Sequence, residues 1–347
     1  AVSMLFQNSE TEASIGDRAK ITLTSGSLDI KAKSENNARI IGGALSVSSA
    51  KAGIGLNVAV ITNNDTVTST VGEDGVITVS DGKVNITAES DLDAWSITVA
   101  AAAKTGGSGS GAAIGGGLTV IVSENEVLAM AGSRTKIDAS GNVTISADND
   151  AYLLLISASV AADASGGSGV AGGGTVAVIV TGNKAKALLG DYAEINSSNG
   201  AVTISAENIE KLISILMSAS GASGSGNAVA GTVNVLVTNS ETIAAVGDYA
   251  RITAEGNVEI KAASDSKMVT VLAGLAGSAG SGAAVGATIS VNVFNRLTEA
   301  RVGTNAVIIS KAGSVLVQAL SNDWTLVITA AGGASASGTA VSGNIQT

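Results

Sequence analysis

The sequence predicts an all-β fold: a parallel β-helix, or β-solenoid, whose six repeats each span about 57 residues, a period typical of repeat architectures. Three observations carry that prediction. First, Gly16, Gly72, Gly132, Gly190, Gly247 and Gly303 recur at spacings of 56, 60, 58, 57 and 56, and Ile21, Ile77, Ile137, Ile195, Ile252 and Ile308 follow them at a constant distance. Self-similarity at such a period marks a unit that cannot bury its apolar face alone and must stack on its neighbours. Second, the chain contains no Pro, the residue that removes a ladder hydrogen bond and is tolerated only at edges and bulges. Third, apolar residues alternate with period two through most of each repeat, as in Val176, Val178 and Val180.

Taken in order, each repeat begins with a strand ending at the anchor Gly. The residue just before that Gly is apolar in every copy (Ile15, Val71, Ala131, Leu189, Val246, Val302), and the residue two places earlier still is small. A short strand carries the constant Ile. A Gly-containing turn comes next, at Gly26, Gly82, Gly141, Gly200, Gly256 and Gly313. The third strand reads aliphatic-x-aliphatic-x-Ala, with Ala32, Ala88, Ala147, Ala206, Ala262 and Ala319 at its end. Identity at one position suits stacked coils, because each inward residue sits on its own equivalent about 4.8 Å away. A longer strand, such as 154–162, then runs to a Gly/Ser-rich tip and returns through a strand such as 175–181. These form an out-and-back arm with Ala-, Gly- and Ser-rich inner faces.

Length alone would suggest two or three domains, but the repeat overrides it. The reading is one continuous array over 1–347, with repeats at approximately 9–64, 65–124, 125–182, 183–239, 240–295 and 296–347, and 1–8 ending a preceding repeat. Each repeat makes one wide coil, because its halves are unequal. Two ordinary coils per repeat is the alternative. The crossover rule predicts right-handed winding. The N-terminal segment matches the end of a repeat, so a portion of a longer chain, or a subunit that continues head to tail, is expected.

Composition narrows the chemistry. Cys and His are absent, which removes disulfides, thiolate or His-based zinc sites, Cys nucleophiles and His-based triads. The formal charge of −10 disfavours nucleic acid and anionic membranes. No apolar run is long enough for a transmembrane helix, and no signal peptide is visible.

Several groups invite a functional reading. Gly106-Gly107-Ser108-Gly109 suggests a phosphate loop but lacks the Gly-Lys-Ser/Thr ending, so a turn is expected. Asp17, Asp191 and Asp248 come directly after anchor glycines and, with Glu73 and Asp74, offer oxygen ligands suited to Ca²⁺. The calcium-binding nonapeptide is missing, and turn-stabilising side-chain contacts are the simpler expectation. Asn8, Asn64, Asn239 and Asn295 occupy corresponding corners and predict stacked amide ladders. Trp95 and Trp324, read as equivalent, and nearby Tyr152 are candidates for a sugar platform, although local packing accounts for them. Thr22, Thr24, Thr66, Thr68 and Thr70 hint at an ice-binding face that the other repeats do not keep. Arg18, Arg39, Arg134, Arg251, Arg296 and Arg301 are scattered over different phases of the repeat. No catalytic, cofactor-binding or metal residue is therefore assigned, and no enzyme is expected; Ca²⁺ is the one cofactor possibility.

The pattern Thr-Glu-Ala-x-x-Gly, Val-x-Ile-x-Ala, Ser-Ala-Ser with a Gly-rich tip and Val-x-Val-x-x-Asn is carried here by 298–303, 202–206 and 157–183. It resembles the repeat regions of large secreted bacterial filamentous adhesins of the haemagglutinin-like and leukotoxin types. That resemblance implies an extracellular or cell-surface β-helical stalk or filament. It carries over no catalytic residue or receptor site. Self-association through open strand edges is the expectation. An adhesin module for carbohydrate or a host protein is the alternative, and a polysaccharide-active enzyme the less favoured one.

Overall fold

The computed structural model describes residues 1–49, 51–106 and 110–347. In chain order the strands are β1 (Val2–Ile15), β2 (Lys20–Leu23), β3 (Leu28–Ser48), β4 (Ala52–Val71), β5 (Val76–Val79), β6 (Val84–Lys104), β7 (Ala112–Ala131), β8 (Lys136–Ala139), β9 (Val143–Asp163), β10 (Val170–Leu189), β11 (Glu194–Ser197), β12 (Val202–Ala222), β13 (Asn227–Val246), β14 (Arg251–Ala254), β15 (Val258–Ser278), β16 (Ala284–Val302), β17 (Val307–Ser310), β18 (Val315–Ser335) and β19 (Ala340–Gln346). They form three parallel sheets: A (β1-β4-β7-β10-β13-β16-β19), B (β2-β5-β8-β11-β14-β17) and C (β3-β6-β9-β12-β15-β18). The chain is a parallel β-solenoid in which each repeat makes one wide coil, visiting A, B and C in turn.

Two of the expected strand divisions disappear. The "third" and "longer" strands of a repeat are one 21-residue strand, such as β9, and the returning strand runs unbroken into the one before the anchor Gly, as in β10. A coil therefore has three strands rather than five. The notional repeat boundary at 64/65 falls inside β4. The register is like on like: Ile137, Ile195 and Ile252 align across sheet B, and Ala147, Ala206 and Ala262 across sheet C.

The anchor glycines result from close stacking. A Cβ on Gly190 would lie 2.5 Å from the Ser133 nitrogen and 2.6 Å from the Gly132 carbonyl carbon of the coil before. Gly16, in the first coil, has nothing within 4 Å. Two residues after each anchor the backbone turns left-handed without glycine: Arg18, Asp74, Arg134, Tyr192, Tyr249 and Asn305 have φ of 56–58°. That costs about 1 kcal/mol or more per residue, and a backbone bond offsets it. The Tyr192 N–H, for example, donates to the Asp248 carbonyl of the next coil at 2.9 Å.

The interior is layered along the long strands rather than uniformly aliphatic. One core fills the space between sheet B and the adjoining halves of A and C, around Ile86, Ile145, Ile195 and Val246. A second lies between A and C further out, around Ile61, Leu153, Ile179 and Leu236. A third, near the tips, is built from Ala alone. Between the first two runs a buried polar belt. In it the Asp65 carboxylate accepts the hydroxyls of Ser9, Ser34 (3.0 Å) and Ser90 (2.8 Å). Asn63 donates to Asn125 at 3.0 Å, Asn125 to Asn183 at 3.1 Å, and Asn183 to Glu210 at 2.9 Å. Burial holds the Glu210 carboxyl above the usual range, against hydrogen bonds from Thr181 and Asn183 and the positive charge of Arg296.

Candidate functional site: an acidic trough on sheet C

Outward residues of sheet C form columns, because equivalent positions stack one strand spacing apart. The residue after each constant Ala gives the column Lys33, Glu89, Asp148, Glu207. Two places on, Glu35, Asp91 and Asp150 stack, with Ile209 next. Asn37, Asp93, Tyr152 and Lys211 make the third column. Together they line two adjoining depressions of about 290 and about 340 Å³ on one face. In the last two coils the first column becomes Ala263 and Leu320, so the trough breaks the symmetry of the repeat.

The electrostatics are those of crowded carboxylates. Asp148 is half-buried; loss of solvent, with Glu207 and Glu89 on either side, pushes its pKa up to about 6. Burial also raises Asp150, with Asp91 adding to it and Lys211 opposing. Cations at the rim relieve part of the repulsion. Lys31 pairs with Glu89 at 2.6 Å, Lys33 with Glu35 at 2.5 Å, and Arg39 with Asp93 at 3.0 Å. The hydrogen bond from Lys33 holds Glu35 below its ordinary value. A carboxyl whose pKa is raised toward neutrality can donate or accept a proton, and the trough as a whole attracts cations. No group of three or more acidic residues among the described residues is arranged to hold a metal ion.

The other expected sites are placed as follows. Of the tip loop, Gly106 is a turn glycine at φ 86°, while Gly107, Ser108 and Gly109 lie outside the described residues. Asp17, Asp191 and Asp248 do not brace their own turns. Each accepts a backbone N–H from the next coil, at Glu73 (2.9 Å), Asp248 (2.8 Å) and Thr304 (2.6 Å). Glu73 and Asp74 both bind Arg134, at 2.8 and 2.7 Å.

Asn8, Asn64, Asn239 and Asn295 share one column, but mid-strand rather than at corners, facing solvent, with Glu124 and Gly182 interrupting them. Of these four, Asn295 and Asn239 make an amide contact, at 3.0 Å. The buried ladder runs instead through Asn63, Asn125 and Asn183.

Trp95 and Trp324 are not equivalent. Trp324 stacks in the column of Lys267, Lys211 and Tyr152, whereas Trp95 aligns with Arg39 and Leu154. The Arg39 guanidinium covers the Trp95 ring at 4.6 Å. Thr66, Thr68 and Thr70 point outward from β4 opposite Glu126, Leu128 and Met130, so no threonine face forms there. Arg296 turns inward into the polar belt, 3.0 Å from Asp323, while Arg301 sits outside, 3.6 Å from Glu299.

Sequence reasoning misses the exposed Tyr192–Tyr249 pair, whose rings stack at 4.9 Å with planes 3° apart. Their shared position two places after the anchor Gly is the available signal. No family model matches the chain, and no curated protein or solved structure matches it.

Proposed function

We propose that the chain is a structural β-solenoid, part of an extracellular bacterial stalk or filament that lengthens by adding coils at open strand edges. The observation supporting this most directly is the continuous parallel pairing of all three sheets from coil to coil, with the constant Ile and Ala in line. Backbone hydrogen bonds then run along the axis, and a further coil meets the same chemistry whether it comes from the same chain or from another.

Proportions matter here. The long strands β10 and β12 contain 20 and 21 residues. At about 3.3 Å per residue they make the coil about 66 Å wide, whereas seven strands stacked about 4.8 Å apart span roughly 29 Å along the axis. Six coils make a slab, and a rod arises only when the stack continues. Electron microscopy over a concentration series tests the reading. Fibres about 66 Å across, with an axial repeat at a multiple of about 4.8 Å, are the expected result. Particles that keep the dimensions of one slab at every concentration would count against polymerisation through the edges.

A second reading, an adhesive module for a host protein, is favoured by the trough, since it is confined to some coils. Its partner would carry a basic segment. Salt-sensitive binding of an oligolysine peptide that Asp150→Asn weakens would support it, and binding indifferent to salt and to that change would not.

A further inference from the structure

The half of each coil beyond the second core is almost free of charge. No charged residue occurs between Lys211 and Glu241, between Lys267 and Arg296, or after Asp323. In two other coils the single charges in this region, Lys104 and Asp163, turn inward, with side chains 3% and 1% exposed. The arm is apolar on the outside, while inside it a layer of buried hydroxyl and amide side chains adjoins the Ala core of the tips. Its inner faces carry Thr98, Ser157 and Thr119, linked by hydrogen bonds at 2.9 and 3.2 Å, and Ser214 bonded to Asn234 at 3.1 Å. Its outer face on sheet C carries Ile97, Val99, Ile156, Val160, Met217 and Leu275. Of these, Val99, Val160, Met217 and Leu275 stand 46–54% exposed. The opposite outer face, on sheet A, is equally aliphatic, with Leu56, Val120, Val178, Val229 and Val291 in its columns.

Isolated exposed aliphatic residues are ordinary, but a contiguous face of this size marks an interaction surface. Parallel sheets are normally covered on both sides. We infer that the outer face of the arm on sheet C is covered by the arm of a second copy of this chain, packed side by side, sheet upon sheet.

Two arguments select that occupant. The first is area. The face runs from Trp95 to Ala103 along β6 and crosses all six strands of sheet C. At the usual strand dimensions it measures about 26 Å by about 24 Å, or roughly 620 Å². Two such faces together exceed the roughly 1,000 Å² of total buried surface that a specific interface requires. The second is charge. With a net charge of −10, copies repel, yet the acidic trough and most of the ion pairs lie on the other half of the coil. Packing arm on arm therefore joins the neutral halves and keeps the acidic ones apart. Acyl chains are the competing occupant. Sheets A and C are open rather than closed into a barrel, so insertion in lipid would leave unpaired backbone groups at both edges in hydrocarbon. This inference concerns the sides of the slab and is independent of whether coils add at its ends.

The chain has no Cys, so single cysteines report cleanly. Met217→Cys, on the arm, is expected to cross-link between copies through a bismaleimide spanning about 10 Å, the face-to-face spacing of packed sheets. Glu194→Cys, on exposed sheet B, is expected to remain unlinked. Met217→Lys, at a half-exposed position that tolerates the change in the fold, should weaken association by about tenfold or more in sedimentation velocity while leaving the far-ultraviolet circular dichroism unaltered. An unlinked Met217→Cys, or a Met217→Lys variant that associates like the parent, would overturn the inference. So would a monomer that floats with neutral phosphatidylcholine vesicles, which would assign the face to lipid. Copies joined only at their ends would lengthen the particle and leave Met217→Cys unlinked, so the two modes of assembly fail separately.

Discussion

Replacing Ile195 with Ala tests the inward columns most directly. Ile195 is 1% exposed and lies in register between Ile137 and Ile252. The change removes Cγ1, Cγ2 and Cδ1. At about 0.8 kcal/mol per buried methylene the transfer cost is roughly 2.4 kcal/mol. The cavity adds to it because flanking coils held by continuous ladders collapse little, giving a total of about 3–4 kcal/mol. Asn196, the next residue, faces solvent, and Asn196→Ala should stay within about 0.5 kcal/mol of the parent. Urea unfolding followed by circular dichroism gives the comparison. With a slope of about 3 kcal/mol/M, Ile195→Ala lowers the midpoint by roughly 1 M. A midpoint unmoved by Ile195→Ala, or moved more by Asn196→Ala, would mean that the alternation is assigned to the wrong face. The harsher Ile195→Asp buries an unpaired carboxylate and should disrupt the array; unfolding at the parent's temperature would refute the same assignment.

Gly190→Ala should lower the melting temperature, since the new Cβ meets backbone at 2.5 Å, at a cost of about 1–3 kcal/mol. Gly16→Ala, with open space around it, should be close to neutral, and equal effects at both positions would contradict the stacking explanation. Asp65→Ala leaves the hydroxyls of Ser9, Ser34 and Ser90 without their acceptor and should cost about 3 kcal/mol or more; chemical denaturation at pH 7 reads this directly. The raised pKa of Asp148, about 6, means that the folded state holds a proton which the unfolded chain releases near its ordinary value of about 4. Its carboxyl therefore penalises folding increasingly from about pH 4 to about pH 6, by roughly 1–2 kcal/mol after screening. Asp148→Asn should flatten stability across that window, and an unchanged pH profile would refute the assignment.

The parts of the fold legible in the sequence are those where one side chain repeats in every coil. The anchor Gly, the constant Ile and the constant Ala mark positions where stacking tolerates one shape, and they locate sheets B and C and the turn between them. Strand length is hidden because the inward series changes chemistry midway. In β9 it passes from Ala147 to Asn149 and back to Leu153, so the aliphatic series stops at the constant Ala although the backbone continues. The polar belt is hidden because its column varies through Ser9, Asp65, Asn125, Asn183, Ser240 and Arg296. Asn64, one residue earlier than Asp65, belongs to a tidier but outward pattern. Trp95 and Trp324 look equivalent because both come after the Val-x-Ile/Val-x-Ala strand, but they stand two places out of step. The trough lies across coils, so a reading along one repeat cannot see it. Aligning the residues next to Ala88, Ala147 and Ala206 yields Glu89, Asp148 and Glu207, and exposes it.

The direction of the backbone ladders also fixes how the molecule responds to load. Coils are joined in series through the chain and to each other by bonds along the axis. Tension applied to the two chain ends therefore peels the outermost coil first and loads its bonds a few at a time. Each detachment frees about 57 residues, roughly 190 Å of extended chain at about 3.4 Å per residue. A pulled array would lengthen in equal steps and at modest force, shedding one coil at a time while the remainder stays folded. A stack of such coils would act as a reel that absorbs extension, where a single cooperative domain would snap open once.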